Sequence, residues 1–414
     1  MIFSILTGVI VALNVKSEIG RLSEVITHEP RAELSRLTPS NSDFLLFDDV
    51  VWTEQATKDH KVFRDLLTER GVKVHNFWDL LAQTLEIPEA RRYVIEETFD
   101  ERWYGPTLND AFLRLAEGMS GAELADLLIV GITKGELLER LGGVNSPVLA
   151  GKPDSYMALR CLPNHMYTRD TSCWLGNGVA VNSMEKVARQ RETVNFHAVY
   201  RWHPRFADDS FHFWSEGLAE GAATMEGGDV APIGNGTVLI GLGERSSGMA
   251  AERVARKLFA AGEMERVVAV YLPEVRAMMH LDTVMTMVDE GTFVKYRNLG
   301  MCETAVIEPA GDGVKTTFYE GEKMHEVIAK SLGLDSIKVL TAPGDEVSAE
   351  RDQWNDSCNF LTVSPGVIVG YDRNVSSNEY LRSQGLEVLE VPSAELGRGR
   401  GGPHCMSCPI LRED

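Results

Sequence analysis

Residues 237–271, TVLIGLGERSSGMAAERVARKLFAAGEMERVVAVY, combine a short β-rich run, a polar turn, an amphipathic helical pattern and a second β-rich run. The same order of patterns recurs along the chain and predicts five strand-helix units. The instances span residues 44–75, 179–200, 237–271, 292–340 and 367–389. Because such a unit leaves one apolar face uncovered until a neighbour packs on it, the repetition predicts a ring of five α/β units.

The first and second units are separated by more chain than the later ones. Their starting points lie 135 residues apart, whereas the later units begin 55 to 75 residues apart. The additional chain maps to residues 78–157, where amphipathic helical patterns begin at Pro88, Leu108, Gly121 and Lys134. We therefore expect a first unit with an N-terminal extension over residues 1–77, an inserted helical bundle over 78–157 and the remaining units over 158–414.

A doubly wound parallel sheet is the competing architecture. The run GLGERSS at residues 241–247 follows a strand pattern and superficially resembles a phosphate-binding loop. It lacks the third glycine, and no clear acidic residue follows about 20 residues later, where a ribose would be bound. The pattern therefore does not favour nucleotide binding.

Composition narrows the classes of function. The 414 residues carry 41 Lys and Arg against 61 Asp and Glu, a formal charge of −20, which disfavours nucleic-acid binding. Six dispersed cysteines are unlike a secreted disulfide framework and indicate the reducing cytoplasm. Residues 1–13 are apolar but too short to span a membrane and lack the features of a secretion signal, so we interpret them as a leading strand or a loose extension.

Cys405 lies near the carboxyl end, behind the run GRGRGGPH. A thiolate attacks carbon well only when positive charge or a basic partner lowers its pKa, and Arg398, Arg400 and His404 could supply that charge. The glycines would let the backbone wrap closely around a ligand. Cys405 is thus a candidate nucleophile, and a redox pair with Cys408, a pair of zinc ligands and an inert thiol remain as alternatives.

His280 and Asp282 are two residues apart in the run MHLD. In an extended segment such residues face the same side, which would place an imidazole and a carboxylate in one cleft. Histidine moves protons near neutral pH, so His280 is a candidate acid and base. The alternative is a histidine satisfied within the core.

Three more carboxylates lie in segments of the same kind. Glu226 and Asp229 flank two glycines, which is either a plain turn or a way to bring carboxylates close to a ligand. Asp170 follows Arg169 and could simply form an ion pair with it. Together with the thiol and the imidazole, these groups predict nucleophilic chemistry at the positively charged carbon of a small cationic substrate.

Six ordered motifs together resemble the bacterial arginine deiminases. They are Leu162-Pro-Asn-His-Met-Tyr-Thr-Arg-Asp170, Glu226-Gly-Gly-Asp229, Gly243-Glu-Arg-Ser-Ser247, Met279-His-Leu-Asp282, Val369-Gly-Tyr-Asp-Arg-Asn374 and Gly397-Arg-Gly-Arg-Gly-Gly-Pro-His-Cys405. The resemblance begins near Val15 and reaches the carboxyl end. It implies the pentein fold, a five-fold pseudo-symmetric α/β propeller of ββαβ-type units with an inserted α-helical bundle.

The resemblance also implies a role for each site residue. Cys405 is similar to the family's nucleophile, His280 to its acid and base, and Asp170 and Asp282 to the carboxylates that clasp a guanidinium, while Glu226 would support His280. The implied substrate-binding residues are Asn164, Tyr167, Asp229 and the three binders of the substrate α-carboxylate, Arg189, Arg245 and Arg400.

Two positions depart from the family pattern. Tyr167 stands where an apolar aromatic residue is familiar, and Pro403 precedes His404 where some members have glycine. The implied reaction converts L-arginine and water into L-citrulline and ammonia in arginine catabolism, without a metal or an organic cofactor. The resemblance also implies a homodimer or homotetramer in the cytoplasm, with no nucleic acid or membrane partner.

Three other functions remain open. An enzyme acting on agmatine would not need carboxylate-binding arginines, and an amidinotransferase would pass the intermediate to an amine instead of water. A non-catalytic propeller that binds a macromolecular partner would need neither the thiol nor the imidazole.

Overall fold

The computed structural model describes residues 13–207 and 210–413, which form a mixed α/β fold. The expectation for the apolar leader falls on residues 1–12, outside the described residues, while Leu13 itself is buried. The helices are α1 (Thr53–Glu69), α2 (Phe77–Thr84), α3 (Pro88–Thr98), α4 (Glu101–Tyr104), α5 (Pro106–Ala116), α6 (Gly121–Val130), α7 (Lys134–Leu141), α8 (Thr168–Thr171), α9 (Val187–Trp202), α10 (Pro204–Ala207), α11 (Gly248–Ala261), α12 (Met324–Leu332), α13 (Glu346–Trp354) and α14 (Val375–Ser383).

The strands form several small sheets. They are β1 (Arg21–Thr27), β2 (Lys73–Asn76), β3 (Ile132–Thr133), β4 (Met157–Leu159), β5 (Ser172–Trp174), β6 (Gly178–Val181), β7 (His212–Glu216), β8 (Val230–Gly234), β9 (Thr237–Leu242), β10 (Arg266–Tyr271), β11 (Met285–Asp289), β12 (Thr292–Lys295), β13 (Thr304–Ala310), β14 (Gly313–Tyr319), β15 (Lys338–Leu340), β16 (Leu361–Ser364), β17 (Val367–Tyr371), β18 (Glu387–Val391) and β19 (Cys408–Glu413).

Short 3₁₀ helices join many of these elements. They are Leu34–Arg36, Pro163–Met166, Gly217–Glu220, Gly227–Asp229, Arg276–Met278, Leu281–Thr283, Arg297–Leu299, Gly321–Lys323 and Leu396–Gly399.

Five sheets share one pattern of pairing. In each, a central strand pairs antiparallel with one neighbour and parallel with the other, and a helix connects it to the parallel neighbour, as a parallel pair requires. The five trios are β19-β1-β2, β5-β6-β7, β8-β9-β10, β11-β12-β15 and β16-β17-β18. The hairpin β13-β14 adds to the third trio through β10, and β19 pairs with β1, so the first sheet joins the two ends of the described chain.

The repeat read from the sequence is confirmed in three units and is wrong in detail in two. The central and parallel strands of residues 237–271, 292–340 and 367–389 form where expected, with α11, α12 and α14 between them. In the second unit, residues 198–200 lie inside α9, and the parallel strand is β7. Most of α9 is buried, and a short apolar run on a buried helix cannot be distinguished from a strand by periodicity alone.

The strand expected at residues 44–47 does not form. This segment is a series of turns in which Leu46 adopts a left-handed φ of 65° and Phe44 is 44% exposed. The Asn41 side chain stabilises the turn, because it donates to the Arg36 carbonyl and accepts from the Thr38 amide, both at 2.9 Å. The central strand of this unit is β1, which lies upstream of the expected position.

The helical patterns predicted within residues 78–157 appear as α3, α5, α6 and α7. Capping boxes begin two of them, Ser120 with Glu123 at α6 and Thr133 with Glu136 at α7. Their apolar faces pack with α2 and α9 in one buried cluster. No helix in the described ranges is long and apolar enough to cross a membrane.

Candidate active site

The polar side chains of the site occupy equivalent places in the five units. Asp170, Glu226, His280, Asn359 and Cys405 each lie in the short segment that leads into the antiparallel outer strand of a unit, before β5, β8, β11, β16 and β19. All five are at most 3% exposed. Repetition of one supersecondary unit thus brings together groups that are far apart in sequence, on loops positioned by a rigid scaffold.

A narrow cavity lies among these segments. Eight of the eleven site residues predicted from the sequence line it: Asn164, Tyr167, Asp170, Arg189, Arg245, His280, Arg400 and Cys405. Of the other three, Glu226 contacts His280 and Asp282 contacts Cys405, while Asp229 accepts from the amide of Leu281, next to His280 in the chain. The predicted groups therefore converge on one place.

The Cys405 thiol is buried and held by two polar neighbours. Its Sγ lies 3.4 Å from Asp282 Oδ2, to which the thiol donates, and 3.1 Å from Asn359 Nδ2, from which the sulfur accepts. Burial, together with nearby carboxylates of which Asp282 contributes most, raises the pKa of the thiol well above its usual value. Cys405 is therefore a protonated thiol in this structure.

The cations expected to activate the thiol are bonded elsewhere. Arg398 pairs with Asp49 and Glu395, at the outer side of the loop. Arg400 stacks on the indole of Trp354, with its Cζ 3.5 Å from the ring centre. The expectation that arginines beside Cys405 in sequence would lower its pKa is wrong, because these side chains are bonded to other groups and carboxylates outweigh them around the sulfur.

His404, the third expected cation, belongs to a buried chain of ionic groups. Its Nδ1 lies 2.8 Å from Asp282 Oδ2, and its Nε2 lies 3.0 Å from Glu18 Oε2. Burial and nearby Arg169 would lower the pKa of His404, but the two carboxylates outweigh them and raise it. Glu18 also pairs with Arg169, and Asp170 pairs with Arg189, so the alternative of a simple ion pair between Arg169 and its sequence neighbour Asp170 is not what the structure shows.

His280 faces two carboxylates. Its Nε2 lies 2.8 Å from Glu226 Oε2, and its Nδ1 lies 3.6 Å from Asp170 Oδ1. Burial alone would lower the pKa of His280, but the charge of Asp170 and the hydrogen bond with Glu226 outweigh it and raise the pKa to about 9. His280 is thus an imidazolium at neutral pH, a protonation state in which it has a proton to donate.

The extended segment expected at residues 280–282 is only partly present. His280 is extended, but Asp282 lies in the 3₁₀ helix that follows it. Both side chains nevertheless reach the site, because His280 turns toward Glu226 while Asp282 turns toward the thiol. Their proximity comes from tertiary contacts and not from the two-residue period of a strand.

Two carboxylate oxygens at the site lack a hydrogen-bond donor. Asp170 accepts from Arg189 through Oδ2, and Asp282 accepts from His404 through its own Oδ2. The Oδ1 atoms of both aspartates are buried and accept no hydrogen bond from any residue between 13 and 207 or 210 and 413. Buried carboxylate oxygens are normally paired, so this arrangement suits a ligand that brings N–H donors and positive charge.

The three arginines differ in what they bind. The Arg189 guanidinium donates to Asp170, to Glu192 and to the carbonyls of Asn164 and Tyr167. Arg245 contacts carboxylates of Glu226 at 3.2 Å and Glu244 at 3.3 Å. Arg400 makes one hydrogen bond, from Nη1 to the Trp354 carbonyl, while its Nε has no hydrogen-bond acceptor among the described residues and lies 3.9 Å from Asp48 Oδ2. Of the three, Arg400 retains most capacity to bind a ligand carboxylate.

The remaining predicted residues shape the cavity. Asn164 donates from Nδ2 to the Leu45 carbonyl, and the Tyr167 hydroxyl donates to the Leu396 carbonyl. Asp229 accepts from the Ser246 hydroxyl and from the Leu281 amide, beside His280. Burial raises the pKa of Asp229 to about 7. Its place behind the imidazole indicates a role in positioning more than in binding.

Two glycines of the site are required by close packing. A Cβ on Gly228 would lie 2.8 Å from Asp170 Oδ1 and from His280 Nδ1, and a Cβ on Gly402 would lie 2.7 Å from Asn359 Oδ1. A side chain at Gly228 would push Asp170 and His280 apart, and a side chain at Gly402 would displace Asn359.

Sequence reasoning missed Asn359, Trp354, Glu18 and Glu192, and it assigned His404 to the wrong neighbour. Asn359 follows the run NDSC, which has no spacing typical of a catalytic motif. Cys408, the proposed redox partner, is a free thiol whose Sγ lies 3.7 Å from the Tyr200 hydroxyl and 3.5 Å from that of Ser172, in the core behind the site.

Comparison with known proteins identifies similar chains. The model of the family described as Arginine deiminase matches residues 43–412. SxtG, an amidinotransferase from Microseira wollei in the saxitoxin biosynthetic pathway, is 14% identical, with a TM-score of 0.54 over 97% of this chain and 98% of that chain. A variant of dimethylarginine dimethylaminohydrolase, solved as an adduct with S-methyl-L-thiocitrulline, is 13% identical, with a TM-score of 0.51 over 94% and 99%.

A third solved structure, AgrE in complex with ornithine and NAD+, is 13% identical, with a TM-score of 0.53. It covers 95% of this chain, whereas this chain covers 40% of AgrE. At these identities the three likenesses concern the fold alone.

Proposed function

This chain belongs to the arginine deiminase family, and on that premise we propose that it hydrolyses L-arginine to L-citrulline and ammonia through a covalent thiouronium on Cys405. The observation that carries the proposal is the pair of buried carboxylate oxygens without donors, Asp170 Oδ1 and Asp282 Oδ1, on two residues whose charges act on the thiol. A guanidinium is planar, always charged and rich in N–H donors, so it satisfies both oxygens at once.

Substrate binding prepares the nucleophile. The carboxylates raise the pKa of the free thiol, and a guanidinium placed between them cancels that field. The thiol then gives its proton to solvent more readily at the moment when the cation lies against the sulfur. Cys405 Sγ adds to the guanidinium carbon and forms a tetrahedral adduct.

His280 completes the first half of the reaction. Its imidazolium, with a pKa raised to about 9 against the lowering effect of burial, gives a proton to the departing nitrogen. The carbon–nitrogen bond breaks, ammonia leaves, and a positively charged thiouronium remains on Cys405. His280 is then neutral, and Glu226 keeps the ring in place through the 2.8 Å hydrogen bond.

Water completes the second half. Neutral His280 takes a proton from a water molecule as the water oxygen adds to the thiouronium carbon. The carbon–sulfur bond then breaks, and the departing sulfur takes the remaining hydroxyl proton, which releases citrulline and restores the thiol. Dividing the hydrolysis into two steps replaces the difficult direct attack of water on a resonance-stabilised cation.

An assay of products tests the proposal. Incubation with arginine should release citrulline and ammonia in equal amounts. The similarity in fold to an amidinotransferase makes an amine acceptor the matched control. Ornithine release that depends on an added amine, with no free ammonia, would assign the chain to amidino transfer, and turnover of agmatine with arginine ignored would redirect the substrate assignment.

We further propose the finer architecture that the family implies. The five units would surround one pseudo-five-fold axis, with residues 1–77 as the first unit, 78–157 inserted as a helical bundle and 158–414 as the remaining units. The enzyme would act in arginine catabolism, in the cytoplasm, as a homodimer or homotetramer. Light scattering of the purified chain measures the last point directly.

A further inference from the structure

The side-chain amide of Asn359 contacts Cys405 through both its oxygen and its nitrogen. Its Oδ1 accepts a hydrogen bond from the Cys405 backbone N–H at 3.1 Å. Its Nδ2 lies 3.1 Å from Cys405 Sγ and 3.1 Å from the Asp282 carbonyl oxygen. The side chain is fully buried, so none of these bonds can be exchanged for water without opening the site.

The hydrogen-bond network fixes the orientation of this amide. If oxygen and nitrogen were exchanged, the oxygen would face the Asp282 carbonyl and the nitrogen would face the Cys405 N–H. Two acceptors would then oppose each other, and so would two donors. The orientation present therefore commits one amide hydrogen to the Asp282 carbonyl and leaves the other for the sulfur.

Carboxylates dominate the charge around this sulfur. Asp282 contacts it at 3.4 Å, and burial with the charges of Asp282, Asp170 and Asp356 raises the pKa of the Cys405 thiol. The cations of the site are bonded to other groups: His404 lies between two carboxylates, His280 binds a third, and the arginines that line the cavity bind carboxylates or main-chain oxygens.

A neutral donor suits this environment. It stabilises a thiolate without adding a cation that would repel the positively charged substrate. Asn359 is also held where it is needed, because Gly402 leaves just enough room for it. A Cβ at that glycine would lie 2.7 Å from the amide oxygen and 2.9 Å from the asparagine Cβ.

We propose that Asn359 is a catalytic residue whose amide N–H stabilises the Cys405 thiolate and aims it at the reacting carbon. This inference deepens the proposed deiminase function and rests on it for the identity of the reacting carbon. The contact with the sulfur itself does not depend on which substrate binds.

The test measures the thiol without substrate. Alkylation of Cys405 by iodoacetamide is followed from pH 6 to 10 by mass spectrometry of its peptide, for the wild type and for Asn359→Asp, Asn359→Gln and Asn359→Ala. A hydrogen bond to a charged acceptor corresponds to roughly a tenfold or larger change in an equilibrium constant. The alanine variant should therefore alkylate roughly tenfold more slowly at pH 8, with its profile moved about one pH unit upward.

The other variants separate stabilisation from packing. Asn359→Asp keeps the shape but replaces the donor by a negative charge, so its profile should move further upward than that of alanine. Asn359→Gln keeps a donor on a longer arm and should lie between alanine and the wild type. Asn378→Ala removes a buried asparagine of α14 that bonds to the Tyr371 carbonyl, and it should leave the profile unchanged.

Each result decides one point. Alkylation profiles of all Asn359 variants that coincide with the wild type would overturn the assignment and leave the residue a structural role. Should the alanine variant not fold, the isosteric Asn359→Asp variant decides. A wild type that ignores arginine while the alkylation profiles move as expected would refute the deiminase function and retain the thiolate role of Asn359.

Discussion

Glu226 is the group through which the acidity of His280 can be tested most directly. Its carboxylate contacts the imidazole at 2.8 Å and Arg245 at 3.2 Å. Burial would raise the pKa of Glu226, but Arg245 and His280 outweigh it and lower the pKa to about 2, so the group is anionic throughout any practical assay. The substitution Glu226→Gln removes this charge and keeps a hydrogen-bond acceptor of the same size.

The magnitude follows from the pKa of His280. A rise from 6.5 to about 9, against the opposing effect of burial, corresponds to a preference of roughly 3 kcal/mol for the imidazolium. Asp170, Glu226 and Asp229 together produce this preference, each by raising the pKa of His280. In Glu226→Gln a neutral hydrogen bond replaces the charge-assisted one. This change should remove about half of the preference for the imidazolium and so lower the pKa of His280 by about one unit.

The pH dependence of turnover reports this change. In the proposed mechanism His280 must be protonated to expel ammonia, so kcat should hold below the pKa of His280 and decline as the pH rises through it. In Glu226→Gln the alkaline decline of kcat should begin about one pH unit lower than in the wild type. The measurement is citrulline release at saturating arginine from pH 5 to 10, with thermal melting to confirm that the variant folds.

Glu244→Gln is the matched control, since Glu244 pairs with the same arginine and with Lys186 but does not contact His280. Its alkaline decline should coincide with that of the wild type. Coincident profiles for the wild type and Glu226→Gln, or an equal displacement in Glu244→Gln, would refute the assignment of His280 as the acid held in its protonated form by Glu226.

Three other substitutions test the site. Cys405→Ser should abolish turnover while Cys408→Ser retains most of it, because the second thiol faces buried hydroxyl groups of the core, and the reverse result would favour a redox role. Trp354→Ala should raise the KM for arginine roughly three- to thirtyfold with little change in kcat, because it removes the cation–π contact that positions Arg400 to bind the substrate carboxylate; an unchanged KM would show that the indole does not position Arg400 for binding. Gly228→Ala should reduce kcat at least a hundredfold, since the added methyl would lie 2.8 Å from an imidazole nitrogen and a carboxylate oxygen, whereas Gly248→Ala, with its nearest neighbour at 4.0 Å, should match the wild type.

Local patterns in the sequence correctly predicted those strands and helices whose surroundings resemble those of an average strand or helix. The units at residues 237–271, 292–340 and 367–389 and the helices that begin at Pro88 and Gly121 are of this kind. The errors occurred where the environment is unusual. Residues 198–200 read as a strand because nearly all faces of their helix are buried, and residues 44–47 read as a strand although no partner strand lies beside them.

The residues of the site also divide into those that the sequence predicted and those that it did not. Motifs identified most of the side chains that line the cavity, but no pattern indicated Asn359, and sequence adjacency suggested the wrong partners for Arg169, Arg398 and His404. Residues that are adjacent along a loop direct their side chains differently, whereas side chains from separate units contact one another at the site.

The sequence by itself determined the chemical groups present, the helical segment and most of the α/β repeat, because side-chain type and hydrophobic period are local properties. Only the tertiary structure decided that Cys405 rests as a buried thiol between Asp282 and Asn359 and that His280 is held as a cation by Asp170 and Glu226. Burial and charge act through space, and the distances that govern them exist only after distant units have packed together.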